Sequence, residues 1–144
     1  MTAQQTSRPD LRALTQEWVE SFNRHDARAY ASFMAADCYL DDVARGMTCS
    51  GSEVVEHACR EWFSVTPDTH IAFMTIIVSG LDAAVQWVNT GTVAKRMPEP
   101  LEGAVIGSRY EVRGVSILKF NENGTIQRVT DYWNPVEMIG RSEP

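Results

Sequence analysis

Residues 117 to 134 read ILKFNENGTIQRVTDYWN, two runs separated by a polar turn that contains an Asn-Gly pair. An Asn-Gly turn between such runs is typical of a β-hairpin, so the stretch predicts two antiparallel strands. Side chains alternate between the two faces of a strand, which places Asp131 on the same face as Val129 and Trp133. An ionised carboxylate among apolar side chains is costly unless it is paired or hydrogen-bonded. Asp131 therefore faces either a solvent edge or a pocket.

Upstream of this hairpin the chain is also rich in strand-forming residues. THIAFMTIIVS (69–79) and AAVQWVNTGTV (83–93) are joined by a tight connection, and SRYEVRGVSILKF (108–120) runs into the first strand of the hairpin. Together these segments predict four long strands in a meander. The segment KRMPEPLEGAVIG (95–107), with two prolines and two glycines, predicts a loop.

The first half of the chain has helical periodicity instead. Residues 10–24 place their apolar side chains on one helix face, Asp26 can cap a shorter second helix, and a third helix is predicted from Ser52 to the segment before Pro67. ADCYLDDV (36–43) predicts a short strand, and RGMTCSGS after it a loop. This order predicts an α+β fold in which a curved antiparallel sheet and three N-terminal helices enclose a pocket.

The length of 144 residues predicts one domain. We expect a flexible N-terminus at 1–9, the domain at 10–136 and a C-terminal tail at 137–144. The first residues lack the features of a secretory signal, and no apolar stretch approaches the length of a membrane span, so the expected location is cytoplasmic.

The net charge is −6, and no basic run is present. This charge argues against nucleic acid or an anionic membrane as the partner, and favours a small molecule or another protein. The cysteines are odd in number and lack the CxxC spacing, and the three histidines stand far apart, so we expect neither a disulfide framework nor a metal site.

Four strings resemble the nuclear transport factor 2-like superfamily and, within it, the SnoaL-like polyketide cyclases. They are FNRHDARAYASFMAADC (22–38), GSEVVEHACREWF (51–63), GLDAAVQWVNTGT (80–92) and RGVSILKFNENGTIQRVTDYWN (113–134). The resemblance covers nearly the whole chain and implies a cone-shaped, cystatin-like roll around a mainly apolar cavity. It also implies a cofactor-free enzyme, with no metal, and a homodimer formed through the outer faces of the sheets.

The resemblance implies roles for individual residues. The proposed acid-base aspartate of the SnoaL-like cyclases falls on Asp131, and the base of the related ketosteroid isomerases falls on Asp42. The oxyanion donors of those isomerases fall on Trp18 and Ser116, which are weaker donors, so a strong oxyanion hole is missing and isomerase activity is disfavoured. The residues expected to bind the substrate are Trp18, Trp87, Asn89, Ser116 and Trp133.

Most of these residues also have an interpretation that involves structure alone. Asp131 could be a solvated edge residue or an ion-pair partner, and Asp42 could simply end a strand, where aspartates commonly form turns. The tryptophans have core spacing, although an aromatic wall can also contact a substrate. Asn89 on an inward face needs a hydrogen-bond partner, which a ligand could supply.

Three functions follow from the resemblance. The leading hypothesis is an aldol-type polyketide cyclase that acts by acid-base catalysis on a hydrophobic oxygenated small molecule, in secondary metabolism such as antibiotic biosynthesis. An alternative is an epoxide hydrolase, cyclase or isomerase on the same fold, although the arginine expected between two epoxide-opening carboxylates is not apparent. The third is a non-catalytic binding or interaction module.

Overall fold

The computed structural model describes residues 9–140, apart from the side chains of residues 73 and 74. The expected flexible N-terminus, except for Pro9, and residues 141–144 of the expected tail lie outside the described residues. The elements, in chain order, are α1 (Leu11–Asn23), α2 (Ala27–Ser32), β1 (Met34–Asp42), β2 (Met47–Ser50), α3 (Ser52–Val65), β3 (His70–Ser79), β4 (Asp82–Thr92), β5 (Arg109–Phe120), β6 (Ile126–Trp133) and α4 (Pro135–Ile139).

The predicted α+β architecture is confirmed: three N-terminal helices pack on a curved, open sheet. The six strands lie in the order β2-β1-β6-β5-β4-β3. The four long strands form the predicted antiparallel meander. The expectation of a wholly antiparallel sheet is wrong in one place, since β1 pairs with β6 in parallel. Parallel strands need a long connection, and here the helices and the meander provide it.

Two elements were not predicted. The segment predicted as a loop after β1 forms strand β2, which pairs with β1 in a short antiparallel hairpin. Its turn ends at Gly46, whose φ of 61° is in the region that favours glycine. Helix α4 follows β6, and its Met138 is only 1% exposed. The domain boundary expected after residue 136 therefore falls inside a helix that packs on the fold.

The first helix is capped and fastened by specific polar side chains. The Asp10 carboxylate accepts a hydrogen bond from the Ala13 N–H, as expected of an N-cap. At the other end of α1, the Asn23 amide both donates to and accepts from the backbone of Ile71 on β3, at 2.7 Å in each direction. These bonds hold α1 against the sheet, with Trp18 buried on the inner side as predicted.

A glycine on β5 makes room for an aromatic side chain on the neighbouring strand. Gly114 is the cross-strand partner of Trp87, and a Cβ atom at Gly114 would come within 2.3 Å of the indole ring. Any side chain at this position would therefore displace Trp87. The glycine in the string RGVS thus allows the tryptophan to lie flat along the inner face of the sheet.

None of the helices in the described part of the chain is long and apolar enough to cross a membrane.

Candidate active site

A cavity of about 130 Å³ lies between the helices and the concave face of the sheet. This volume is on the order of ten times what one water molecule requires, so the cavity can hold a small organic ligand. Most of its lining is apolar, as is common for ligand sites. All four tryptophans of the chain contribute to it: Trp18, Trp62, Trp87 and Trp133.

The polar groups of the cavity include three side chains in one row across three strands. In the parallel pairing of β1 with β6, Asp42 lies opposite Asp131. In the antiparallel pairing of β6 with β5, Asp131 lies opposite Ser116. Neighbouring strands are about 4.8 Å apart, so the row places two carboxyl groups side by side on the cavity wall. The pocket interpretation of Asp131 therefore agrees with the structure, and the solvent-edge interpretation does not.

Each carboxyl group accepts a hydrogen bond from a neighbouring side chain. The Ser116 hydroxyl donates to Asp131 Oδ1 at 2.6 Å and accepts from the Trp87 indole N–H at 2.9 Å. The Trp133 indole N–H donates to Asp42 Oδ1 at 2.8 Å. Five residues predicted to bind or process the substrate are thus used to orient one another. Their hydrogen bonds fix both carboxyl groups in the cavity wall.

The two carboxyl groups have different environments. Burial and, after it, the negative charge of Asp42 raise the pKa of Asp131 from 3.8 to about 7, against the lowering effect of the Ser116 hydrogen bond. Burial also raises the pKa of Asp42, but the Trp133 hydrogen bond and the positive charge of Arg45 oppose the increase. The negative charge of Asp42 is thus part of what opposes ionisation of Asp131. Asp131 holds or releases its proton near neutral pH.

The hydrogen bond from Ser116 gives a direct test of this environment. Ser116→Ala removes a donor that stabilises the ionised carboxylate, so we expect the pKa of Asp131 to rise above its wild-type value. Titration of the Asp131 carboxyl carbon by NMR would measure the change. Ser64→Ala, which removes an exposed hydroxyl on α3, is the matched control and should leave the titration unchanged. A pKa that stays the same or falls in Ser116→Ala would contradict the assigned role of the serine.

The predicted site residues lie where they were expected, but one more of them already has hydrogen-bond partners within the protein. All seven predicted site residues line the cavity: Trp18, Asp42, Trp87, Asn89, Ser116, Asp131 and Trp133. The amide of Asn89, however, donates to Thr69 Oγ1 at 2.8 Å and to the His70 carbonyl at 3.0 Å, so its N–H groups already have protein partners. Arg113, outside the cavity, pairs with Glu137 at 2.8 Å, in keeping with a structural role.

Two polar residues of the cavity were missed by the sequence analysis. Arg45, in the turn between β1 and β2, lines the cavity, and its positive charge works against the increase in the pKa of Asp42. An arginine is thus present after all, near Asp42. Tyr30 on α2 also lines the cavity. Burial and then the charge of Asp131 raise the pKa of its phenol well above the ordinary value.

Each of these residues had a weak signal in the sequence. Arg45 follows the Asp41-Asp42 pair by three residues, inside a segment predicted as a loop. Tyr30 has the spacing of the apolar face of α2, which is the usual position of a packing residue. Within residues 9–140, no three His, Cys, Asp or Glu side chains are grouped as a metal site requires.

Solved structures with the same architecture come from several bacteria. A candidate polyketide cyclase from Xanthomonas campestris pv. campestris is 24% identical with a TM-score of 0.74, over 94% of this chain and 98% of that one. A protein from Catenulispora acidiphila with a ketosteroid isomerase-like fold, in complex with trimethylamine, is 16% identical with a TM-score of 0.78, over 94% of both chains. An LEH-like epoxide hydrolase from M. tuberculosis is 10% identical with a TM-score of 0.72, over 92% and 89%.

At these identities the structural matches show a common fold and not a common reaction. No curated protein sequence matches the chain. The model of the SnoaL-like domain matches residues 15–129, which is most of the chain, and the match ends two residues before Asp131. The resemblance seen in the four sequence strings is thereby confirmed, and the protein belongs to the family of SnoaL-like domains.

Proposed function

We propose that the protein is a cofactor-independent enzyme that transfers a proton to and from a hydrophobic, oxygenated small molecule. The observation that carries this proposal is the carboxyl group of Asp131, which lies in an apolar cavity with a pKa of about 7 beside a second carboxyl group. A group with a pKa near the working pH can both accept and return a proton. The reaction that we favour is an aldol-type cyclisation of a polyketide chain.

In this reaction Asp131, in its ionised form, removes a proton from a carbon next to a carbonyl group. The enolate attacks a second carbonyl carbon of the same chain, and the resulting alkoxide takes up a proton. Folding the substrate inside the cavity brings the two reacting carbons together, which supplies much of the rate. The tryptophan walls give an apolar surface on which such a chain can fold.

Tyr30 is the group that we propose to stabilise the oxygen of the enolate or the alkoxide. Burial raises the pKa of this phenol still further above neutral pH, so the hydroxyl is protonated and can donate a hydrogen bond. Among the described residues, no hydrogen-bond partner is assigned to its hydroxyl, while its ring stacks on Trp18 with centroids 5.0 Å apart. The donor that Trp18 and Ser116 could not supply would thus come from α2.

Hydrogen exchange into a simple ketone tests the proton transfer without knowledge of the natural substrate. 2-Tetralone is a bicyclic ketone of suitable size whose protons next to the carbonyl exchange slowly in D2O. We expect the wild-type protein to accelerate this exchange at pH 8, followed by proton NMR. Binding of the ketone without faster exchange would contradict the enzyme proposal and favour a non-catalytic binding module.

Opening of an epoxide is the second candidate, and the carboxyl pair favours it. One protonated and one ionised carboxyl group could protonate the epoxide oxygen and hold the attacking water, with Arg45 beside Asp42. Hydrolysis of styrene oxide would distinguish this activity from enolate chemistry. An enzyme that hydrolyses the epoxide but does not exchange the ketone would belong to this second class.

We also propose a homodimer formed through the outer face of the sheet. Ile77, Ile117 and Tyr132 are 60%, 41% and 51% exposed there, and Val88 and Val115 are half-buried on the same face. Such a patch is larger than isolated exposed apolar residues and is typical of an interface. Sedimentation equilibrium should give twice the mass of one chain, and Ile117→Lys should give one. A wild-type monomer at micromolar concentration would contradict the dimer.

A cytoplasmic location is proposed from the cysteines. Cys38, Cys49 and Cys59 are all free and buried. Free thiols in this number suit a reducing compartment.

A further inference from the structure

Two cavity side chains have N–H groups without an acceptor. Among the described residues, the buried side-chain nitrogen and oxygen atoms that lack a hydrogen-bond partner are Trp18 Nε1 and Arg45 Nε. Both residues line the cavity. A buried donor without an acceptor costs about 1–3 kcal/mol, so native structures rarely keep one without a reason. The cavity therefore has donors to offer and is suited to a ligand that brings acceptor oxygens.

Arg45 is held in a way that leaves its charge available. Its guanidinium lies over the ring of Trp62, 5.3 Å from the centroid, and no ion pair joins it to a carboxylate of the described residues. A stacked arginine can turn toward a ligand without breaking a salt bridge. The guanidinium also presents N–H groups in a planar fork that matches the two oxygens of a carboxylate.

We propose that the substrate carries a carboxylate on an apolar body and that Arg45 is the residue that binds this carboxylate. The inference rests on the proposed function, because it assigns a substrate class to the same cavity. The apolar body would lie between the tryptophan walls, with its acid group at the β1–β2 turn. Trp18 on α1, whose Nε1 also lacks an acceptor, would give a second and weaker hydrogen bond to an oxygen of the substrate other than the enolate oxygen.

A ligand with a carboxylate needs a positively charged side chain beside it in this cavity, because two carboxyl groups already line the wall. An anionic ligand beside Asp42 and Asp131 would be repelled, and its desolvation would not be offset, unless a cation lies close to its charged end. Among the described residues that line the cavity, Arg45 is the one that carries a positive charge. It is near enough to Asp42 to act on that carboxyl group. Arg45 and Asp131 line the same cavity, so a ligand whose acid group binds Arg45 would keep the rest of the molecule in the cavity with Asp131.

Calorimetric binding of two matched probes tests the proposal. Indole-3-acetate and indole-3-acetamide have the same size and shape, but only the first carries a charge at pH 7. We expect wild type to bind indole-3-acetate at least ~10-fold more tightly than the amide, since charge-assisted hydrogen bonds are the stronger ones. Arg45→Gln should remove this preference and leave the affinity for the amide nearly unchanged.

Arg12→Gln is the matched control, because it removes the same charge from the exposed side of α1, and it should keep the preference. Circular dichroism should show that all variants are folded. Equal affinity of wild type for the two probes, failure of both probes to bind at millimolar concentration, or a preference that survives in Arg45→Gln would overturn the proposal. The binding results do not depend on whether the protein is an enzyme. If the cavity only binds ligands, wild type would still prefer the acid. If the protein is an enzyme with a neutral substrate, it would still exchange 2-tetralone but would show no preference for the acid.

Discussion

Asp131→Asn is expected to slow hydrogen exchange into 2-tetralone by ~10²- to 10⁴-fold, the usual contribution of a positioned acid or base. Asparagine has the same shape and keeps an oxygen that can accept the 2.6 Å hydrogen bond from Ser116, but it cannot take up the proton. The loss should therefore appear in the rate of exchange and not in the affinity for the ketone. NMR exchange rates at several ketone concentrations would separate the two.

Asp82→Asn is the matched control for this variant. Asp82 is exposed at the start of β4, where it pairs with Lys119, so its amide should leave exchange unchanged. Full exchange activity in Asp131→Asn would remove Asp131 as the base. Asp42→Asn would then be the next variant to measure, because Asp42 is the other carboxyl group of the cavity.

The same substitution is expected to stabilise the protein above neutral pH. The pKa of Asp131 is raised in the folded state, so its contribution to stability is fully present below about pH 3.8 and is lost as the pH rises toward about 7. Each pKa unit corresponds to about 1.4 kcal/mol. Asparagine carries no such penalty. The free energy of unfolding of Asp131→Asn, taken relative to that of wild type, should therefore be larger at pH 8 than at pH 5. We expect this difference to be roughly 2 kcal/mol, a figure reduced to account for contact of the carboxyl group with cavity water.

Urea unfolding of wild type and variant at both pH values measures this difference. Asp82→Asn should show no comparable change between pH 5 and pH 8, since its carboxyl group is exposed. An Asp131→Asn gain that is the same at pH 5 and pH 8 would mean that the carboxyl group ionises in the fold as easily as in the unfolded chain. The acid-base role would then lose its physical basis, whatever the exchange experiment showed.

Local patterns in the sequence were sufficient for most of the elements. The helical spacing of 10–24, the capping position of Asp26 and the Asn-Gly turn before β6 each depend on neighbours within a few residues, so they can be recognised without the fold. Strand alternation likewise put Asp131 on the inner face with Trp133. The family resemblance identified the cavity and seven of its side chains, because it brought a known architecture to these local patterns.

The β1–β6 pairing could not be read from local patterns. Asp42 and Asp131 are far apart in the chain, and they meet only because β1 joins the sheet in parallel beside β6. The negative charge of Asp42, which after burial raises the pKa of Asp131, acts on it because of that pairing. In the same way, strand β2 turned a predicted loop into a hairpin that carries Arg45 into the cavity wall.

Sequence periodicity thus determined which residues form helices and strands and which face each strand buries. Tertiary structure decided which side chains became neighbours in space. It paired the two carboxyl groups, and it placed Arg45 and Tyr30 in the cavity wall. The physical reason is one of range. Backbone preferences and amphipathic spacing act over a few residues, whereas desolvation and charge interactions depend on distances in space between segments that the chain order does not relate.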